Sequence, residues 1–190
     1  MREQPDIIIP DSVTMPRAEV RTTANGVKVY RLDANEFEVV RFTLVFRAGS
    51  SMQHKSFAAS ATANMLGEGS THLTAQQIAE ELDFYGSYFD VNIDRDYAYI
   101  SFCSLKKFFE PTIAVAREII LHPAFPEHEF KIYCSKRKQS LMIERKKVDM
   151  QSRELFSEAL FGKEHPYGKS SDETLYDELT TDDLRHTYRT

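Results

Sequence analysis

Apolar and polar residues recur along this chain with two different periods, and the switches between them mark out its elements. From Val39 to Phe46, Phe42, Leu44 and Phe46 alternate with Arg41, Thr43 and Val45, the period-two pattern of a strand. Upstream, Asn25-Gly26 is the signal of a tight two-residue hairpin turn, flanked by extended residues to Leu32. Ala48-Gly49-Ser50-Ser51 breaks the strand, and Phe57 to Leu66 then reads as a short helix that Gly67 is placed to end. Thr74 and Gln77 have capping-box spacing. They open a second helix with Ala75, Ile78, Ala79 and Leu82 on one face, closed by Gly86. Two strands follow: Phe89, Val91 and Ile93 share one face, Ala98, Ile100 and Phe102 another, with Asp94 and Arg95 at the turn.

The remainder is mainly helical. Phe109, Ile113, Ala116 and Ile120 form an apolar stripe that ends before Pro123. Pro126, at a first helical position with Glu127 and Glu129 in the first turn, opens a long helix. Its stripe is Phe130, Cys134, Arg137 and Leu141, the arginine breaking an otherwise apolar seam. A further helix holds Leu155, Phe156, Ala159 and Leu160 and stops at Gly162, and Thr180 to Tyr188 starts a last one. Strand pairs and helix groups segregated in this way predict an α+β fold with a largely antiparallel sheet, not regular βαβ winding. Residues 1–18, with Pro5, Pro10 and Pro16 around Ile7-Ile8-Ile9, read as an extended lead-in or linker; residues 19–190 read as one domain.

Composition narrows the function classes. With 190 residues, 42% apolar and 28% charged, a soluble globular domain with a real core is expected. The net charge of −5 opposes a nucleic-acid partner, for which a basic face is the usual footprint. No run approaches the ~20 apolar residues of a membrane span, and no leader with a cleavage site is visible. Cys103 and Cys134 lack C-x-x-C spacing and read as buried free thiols.

Candidate chemistry is mostly absent. Gly67-Glu68-Gly69 lacks the Lys-Ser/Thr of a phosphate loop, and there is no G-x-S-x-G elbow. None of the six histidines forms an i, i+4 pair. His122 and His128, with Glu127, read as a solvated helix entry, and His165 in Glu164-His165-Pro166-Tyr167-Gly168 as part of a structural loop. The Tyr97/Tyr99 pair fits sheet packing better than a peptide groove. Lys136-Arg137-Lys138 and Arg145-Lys146-Lys147 read as solvated helix faces. The informative positions are Ser60, Ala63 and Asn64, at i, i+3 and i+4 of the short helix. At that spacing His, Glu and His would bind zinc and activate water; none of these three residues can do so.

The sequence around them resembles the N-terminal half-domain of the insulinase/pitrilysin-type zinc peptidases, which carry an inverted H-x-x-E-H motif there. Phe46-Arg47-Ala48-Gly49-Ser50 resembles the strand end before that motif, and Leu66-Gly67-Glu68-Gly69-Ser70-Thr71 the loop after it. Ile78-Ala79-Glu80-Glu81-Leu82 with Tyr85-Gly86 resembles the next helix and its stop. His122-Pro123-Ala124-Phe125-Pro126-Glu127 resembles the opening of the long helix, and Ala159-Leu160-Phe161-Gly162 to Gly168 the A-L-F-x-x-x-H-P-Y-G stretch. None is specific alone; the five stand in register from about Val20 to Thr190.

The resemblance implies a mitochondrial-processing-peptidase-like half-domain. In the family two His and a downstream Glu hold zinc, and the motif Glu is the general base. By position the first His falls on Ser60, the base on Ala63 and the second His on Asn64, while the downstream Glu falls within a residue or two of Glu144, a possible relic. No catalytic residue and no metal set is therefore expected here, with zinc only in an active family partner. Family members consist of two related halves and often pair around a peptide chamber. The resemblance thus implies a noncatalytic partner of an active zinc peptidase, holding peptide and contacting a family-related subunit or second half-domain. Two alternatives stay open: a structural or assembly subunit without peptide turnover, and an active endopeptidase holding zinc through Glu144, His122 or His165. A chain stopping at Tyr188-Arg189-Thr190 is expected to be a C-terminally truncated fragment, with a sheet edge or helix face left uncovered.

Overall fold

The computed structural model describes residues 16–34, 36–170 and 172–190. The described residues divide into two compact units, the first ending at Glu38 and the second running from Val39 to Thr190. The lead-in expected over residues 1–18 lies outside the described residues except for its last three. In the first unit β1 (Glu19–Thr22) pairs antiparallel with β2 (Lys28–Arg31). The connection is longer than the two-residue turn expected from Asn25-Gly26. Thr23 donates its amide to the Val27 carbonyl at 2.9 Å, and its hydroxyl accepts the Val27 amide at 3.0 Å. A threonine side chain that can pair with the backbone four residues on widens the loop, and Gly26 supplies the positive φ of 85° it needs.

The second unit is built on an antiparallel sheet of β3 (Val39–Phe46), β4 (Tyr88–Ile93) and β5 (Ala98–Leu105), in the order β3-β5-β4. The register lines up Phe42, Phe102 and Phe89 in one row and Leu44, Ile100 and Val91 in the next. Period-two patterning thus delivers a continuous apolar face. Among the described residues six α-helices accompany it: α1 (Ala58–Met65), α2 (Ala75–Phe84), α3 (Phe109–Leu121), α4 (Glu127–Glu144), α5 (Val148–Phe161) and α6 (Thr181–Arg189). The architecture is α+β with an antiparallel sheet. No helix among the described residues is long and apolar enough to cross a membrane.

Helix α1 sits centrally, against β4, β5, α4 and α6. Eight residues make a helix too short to persist alone. Ala58, Ala59, Ala61 and Ala63 are all buried, and their small side chains let the neighbours approach. Met65 and Leu66 complete the contact with Ile100, Phe102, Ile119, Phe125, Phe130 and Leu184. Each such large apolar side chain, once buried, contributes roughly 1.5–3 kcal/mol.

Several expectations shift by a residue. The capping box at Thr74 forms as expected, its hydroxyl accepting the Gln77 amide at 3.2 Å while Gln77 accepts the Thr74 amide at 2.9 Å. Gly67 does not end α1; the chain continues in a 3₁₀ turn, Leu66–Glu68, and Gly69 breaks it at φ 137°. Gly67 serves close packing instead, since a Cβ there would stand 3.1 Å from the Phe89 ring. Pro126 caps α4 from one residue outside it. The buried face of α3 is Thr112, Val115, Ala116 and Ile119, rotated from the expected stripe. A buried hydrogen bond of 2.7 Å between the Ser87 and Thr112 hydroxyls fixes that rotation, because burying either hydroxyl unpaired would cost more than exposing a methyl group.

Candidate functional site

The face of α1 that the sequence singled out is divided by burial. Ala63 is buried in the core, Ser60 is half-buried, and Asn64 is exposed. Ser60 Oγ donates to the Phe57 carbonyl at 3.1 Å, and Asn64 Nδ2 donates to the Ser60 carbonyl at 2.7 Å. Both polar side chains are thus satisfied by their own helix.

Helix α4 lies across this turn, with Tyr133 beside Ser60. Burial pushes the Tyr133 hydroxyl up to about 12, and burial, reinforced by Asp177, pushes the Cys134 thiol up to about 11. One turn on, the Arg137 guanidinium interacts electrostatically with Tyr176. Tyr176 is buried and stacks on Phe57, the residue that starts α1. Glu144 is exposed in the last turn of α4, where Arg137 and Tyr176 are its electrostatic neighbours. Tetrahedral zinc requires three or four imidazole, thiolate or carboxylate donors at about 2.0–2.3 Å. A hydroxyl, an amide folded back on its own helix, a phenol and a thiol held protonated, and a guanidinium do not make that set. Among the described residues no group of three or more His, Cys, Asp or Glu side chains is placed to hold a metal ion.

Beyond Asn64 opens a cleft of about 470 Å³ between the end of α1, α2 and β4, lined by Asn64, Glu68, Ile78, Leu82, Phe89 and Val91 among others. Its wall β4 is an edge strand: β5 pairs with one side, and no described strand pairs with the other. Edge backbone left this way is a ready template for an added strand. Glu68, at the rim, is held above the usual carboxylate range by burial and by the neighbouring Glu129 charge. The elements of the cleft are legible in the sequence and the cleft itself is not, because its lining comes from three segments that only folding assembles.

The remaining flagged residues fall in separate places. His165 stacks on Phe161 with ring centroids 5.4 Å apart and accepts the Tyr167 amide at 3.1 Å, so it is part of the loop's own structure. Tyr167 bonds Asp96 and lies 5.0 Å below the Arg95 guanidinium, tying this loop to the β4–β5 turn. Tyr99 donates to Asp94 at 3.0 Å, within the same turn. His122 lies edge-on to His72 at 5.4 Å. His72 bonds Glu118 at 2.8 Å, and the Ser70 hydroxyl, with His72, holds the Glu118 carboxyl below its ordinary range. This pairing was not legible in the sequence, since residues 70–72 and 118–122 belong to distant segments. Glu144, His122 and His165 are not brought together. Cys103 and Cys134 are free and half-buried.

No protein-family model matches the sequence, and no curated protein is significantly similar to it. Solved structures are similar. The inactive domain of a peptidase M16 protein from Pseudomonas fluorescens superposes with a TM-score of 0.84 at 24% identity, over 90% of this chain and 43% of that one. The fold is that of an M16 peptidase domain. An M16-like peptidase from Alicyclobacillus acidocaldarius gives 0.76 at 12% identity, over 94% and 44% of the two chains. A protease from Helicobacter pylori gives 0.74 at 15%, over 92% and 43%. The chain thus spans less than half the length of these M16-fold structures.

Proposed function

We propose that this domain is a noncatalytic member of the insulinase/pitrilysin (M16) family that holds an extended peptide along β4 and works beside an active zinc peptidase. What supports the reading is the α1 turn, where the family resemblance sets Ser60, Ala63 and Asn64 at the positions of the zinc ligands and base, next to a cleft with an open strand edge. Without imidazoles to hold a metal and without a carboxylate at position 63, neither route to an activated water is available. The parts that recognise a peptide backbone need no metal. An edge strand offers main-chain hydrogen bonds, and alternate side chains of the added strand meet the apolar lining. The similarity to a structure described as an inactive domain supports the same reading.

The test combines metal analysis with peptide binding. Elemental mass spectrometry of protein equilibrated with zinc should find well under one equivalent. Hydrogen-exchange mass spectrometry should show the β4 amides slowed by an extended peptide. Stoichiometric zinc lost together with peptidase activity on chelation would restore the enzyme reading. A β4 indifferent to every peptide would leave a purely structural or assembly role.

A further inference from the structure

Helix α5 turns most of its large apolar side chains away from the domain. Its side toward the domain is mixed: Ser157 accepts a hydrogen bond of 2.9 Å from Arg95, and Met150 and Glu154 are half-buried. Its apolar side faces outward: Val148 is 80% exposed, Leu155 66%, Phe156 67% and Leu160 61%. Ser152 and Ala159 are exposed on the same side. A contiguous apolar stripe of this kind marks an interaction surface.

We propose that this stripe is a docking surface for a second copy of the chain, α5 against α5, antiparallel about a dyad between Arg153 and Glu154. The occupant follows from the spacing. Val148, Ser152, Leu155 and Ala159 recur at alternating steps of four and three, the seam of a two-helix pair. When an identical helix is laid against it in reverse, Leu155 of one copy comes level with Ser152 of the other, and Val148 with Ala159. Every layer then pairs a large side chain with a small one, so the helices approach without voids. A parallel mate would set Leu155 on Leu155 and Ser152 on Ser152, alternating bulge and gap. Charge agrees with the reversed arrangement. Exposed Lys147 at the start of α5 comes within a turn of Glu158 near the end of the other copy's helix, a carboxylate that also meets its own Lys163 at 3.3 Å, and the two helix dipoles oppose. The contact is isologous, as a two-fold requires. Four helical turns span about 20 Å, and one helix face of that length buries less than the roughly 1,200 Å² of a standard interface. The association is therefore weak and depends on concentration.

Sedimentation velocity of the 190-residue chain from about 10 to about 500 µM should show the average mass rising from 21.9 kDa toward twice that value. L155E/F156E should stay at the monomer mass throughout, with an unchanged far-UV spectrum and melting temperature, because both side chains are exposed. The milder L155Q/F156Q guards against a folding defect. S152C/L155C should form a cross-linked dimer on oxidation. A monomer at every concentration would overturn the proposal, as would a dimer that L155E/F156E leaves intact. So would a chain that stays monomeric while L155E/F156E abolishes its binding to an active zinc peptidase, since the stripe would then serve that partner.

Discussion

Phe57 and Tyr176 stack face to face, with ring centroids 4.1 Å apart and 4° between their planes. Phe57 holds a left-handed backbone at φ 66°, which costs a non-glycine residue roughly 1–2 kcal/mol. It is the residue from which α1 starts, so the stack anchors the first turn of the helix that carries Ser60.

Removing the buried partner should therefore be costly. Tyr176→Ala is expected to lose about 3–5 kcal/mol, lowering the melting temperature by at least ~6 °C. Phe57→Gly should cost less than Tyr176→Ala, because glycine relieves the positive-φ strain while losing the same stack. Calorimetry on the two variants checks the order as well as the size.

Asp183 gives a prediction with pH. Burial alone would raise its carboxyl, but hydrogen bonds from the Thr180 hydroxyl and amide, Lys55 and His54 outweigh it and hold the group well below the usual carboxylate range. A depressed folded-state pKa means stability that is present above the unfolded value, near 3.8, and lost as pH falls through the folded one. Asp183→Asn should thus destabilise by roughly 2 kcal/mol at pH 7. The gap between variant and parent should narrow at pH 3 and below, as thermal melts at the two pH values would show.

Glu68 runs the other way. Its carboxyl is held above the usual range by burial and by Glu129, so its charged form opposes folding once pH exceeds the unfolded value, and fully so above the folded one. Glu68→Gln should raise the melting temperature at pH 7 and have little effect at pH 4. A variant equally stabilised at both would contradict this account.

The clamp on the β4–β5 turn depends on two glycines. A Cβ at Gly49 would collide with the Asp96 backbone nitrogen, and one at Gly168 with the Gly162 carbonyl oxygen. Gly49→Ala and Gly168→Ala should each cost about 1–3 kcal/mol or more by overpacking. Gly26→Ala meets no neighbouring atom and strains only the hairpin turn. Chemical denaturation of the three variants separates the effects.

Local physics was legible in the sequence wherever one segment decides the outcome. The alternation in β3, the Thr74 capping box, the Gly86 and Gly162 stops and the antiparallel α+β order all follow from side-chain period and backbone chemistry within a few residues. So does the Ser60, Ala63, Asn64 spacing, because 3.6 residues per turn fixes which positions neighbour one another. The tertiary structure alone decided what those positions face. It put Ala63 into the core and left Asn64 at a cleft whose other walls come from α2 and β4. It paired Arg137, which breaks the α4 stripe, with Tyr176 from a segment 39 residues on. It also turned the apolar stripe of α5 outward. A hydrophobic pattern states that a face must be covered; which surface covers it depends on contacts between segments far apart in the chain, or on another chain, and no local period encodes those.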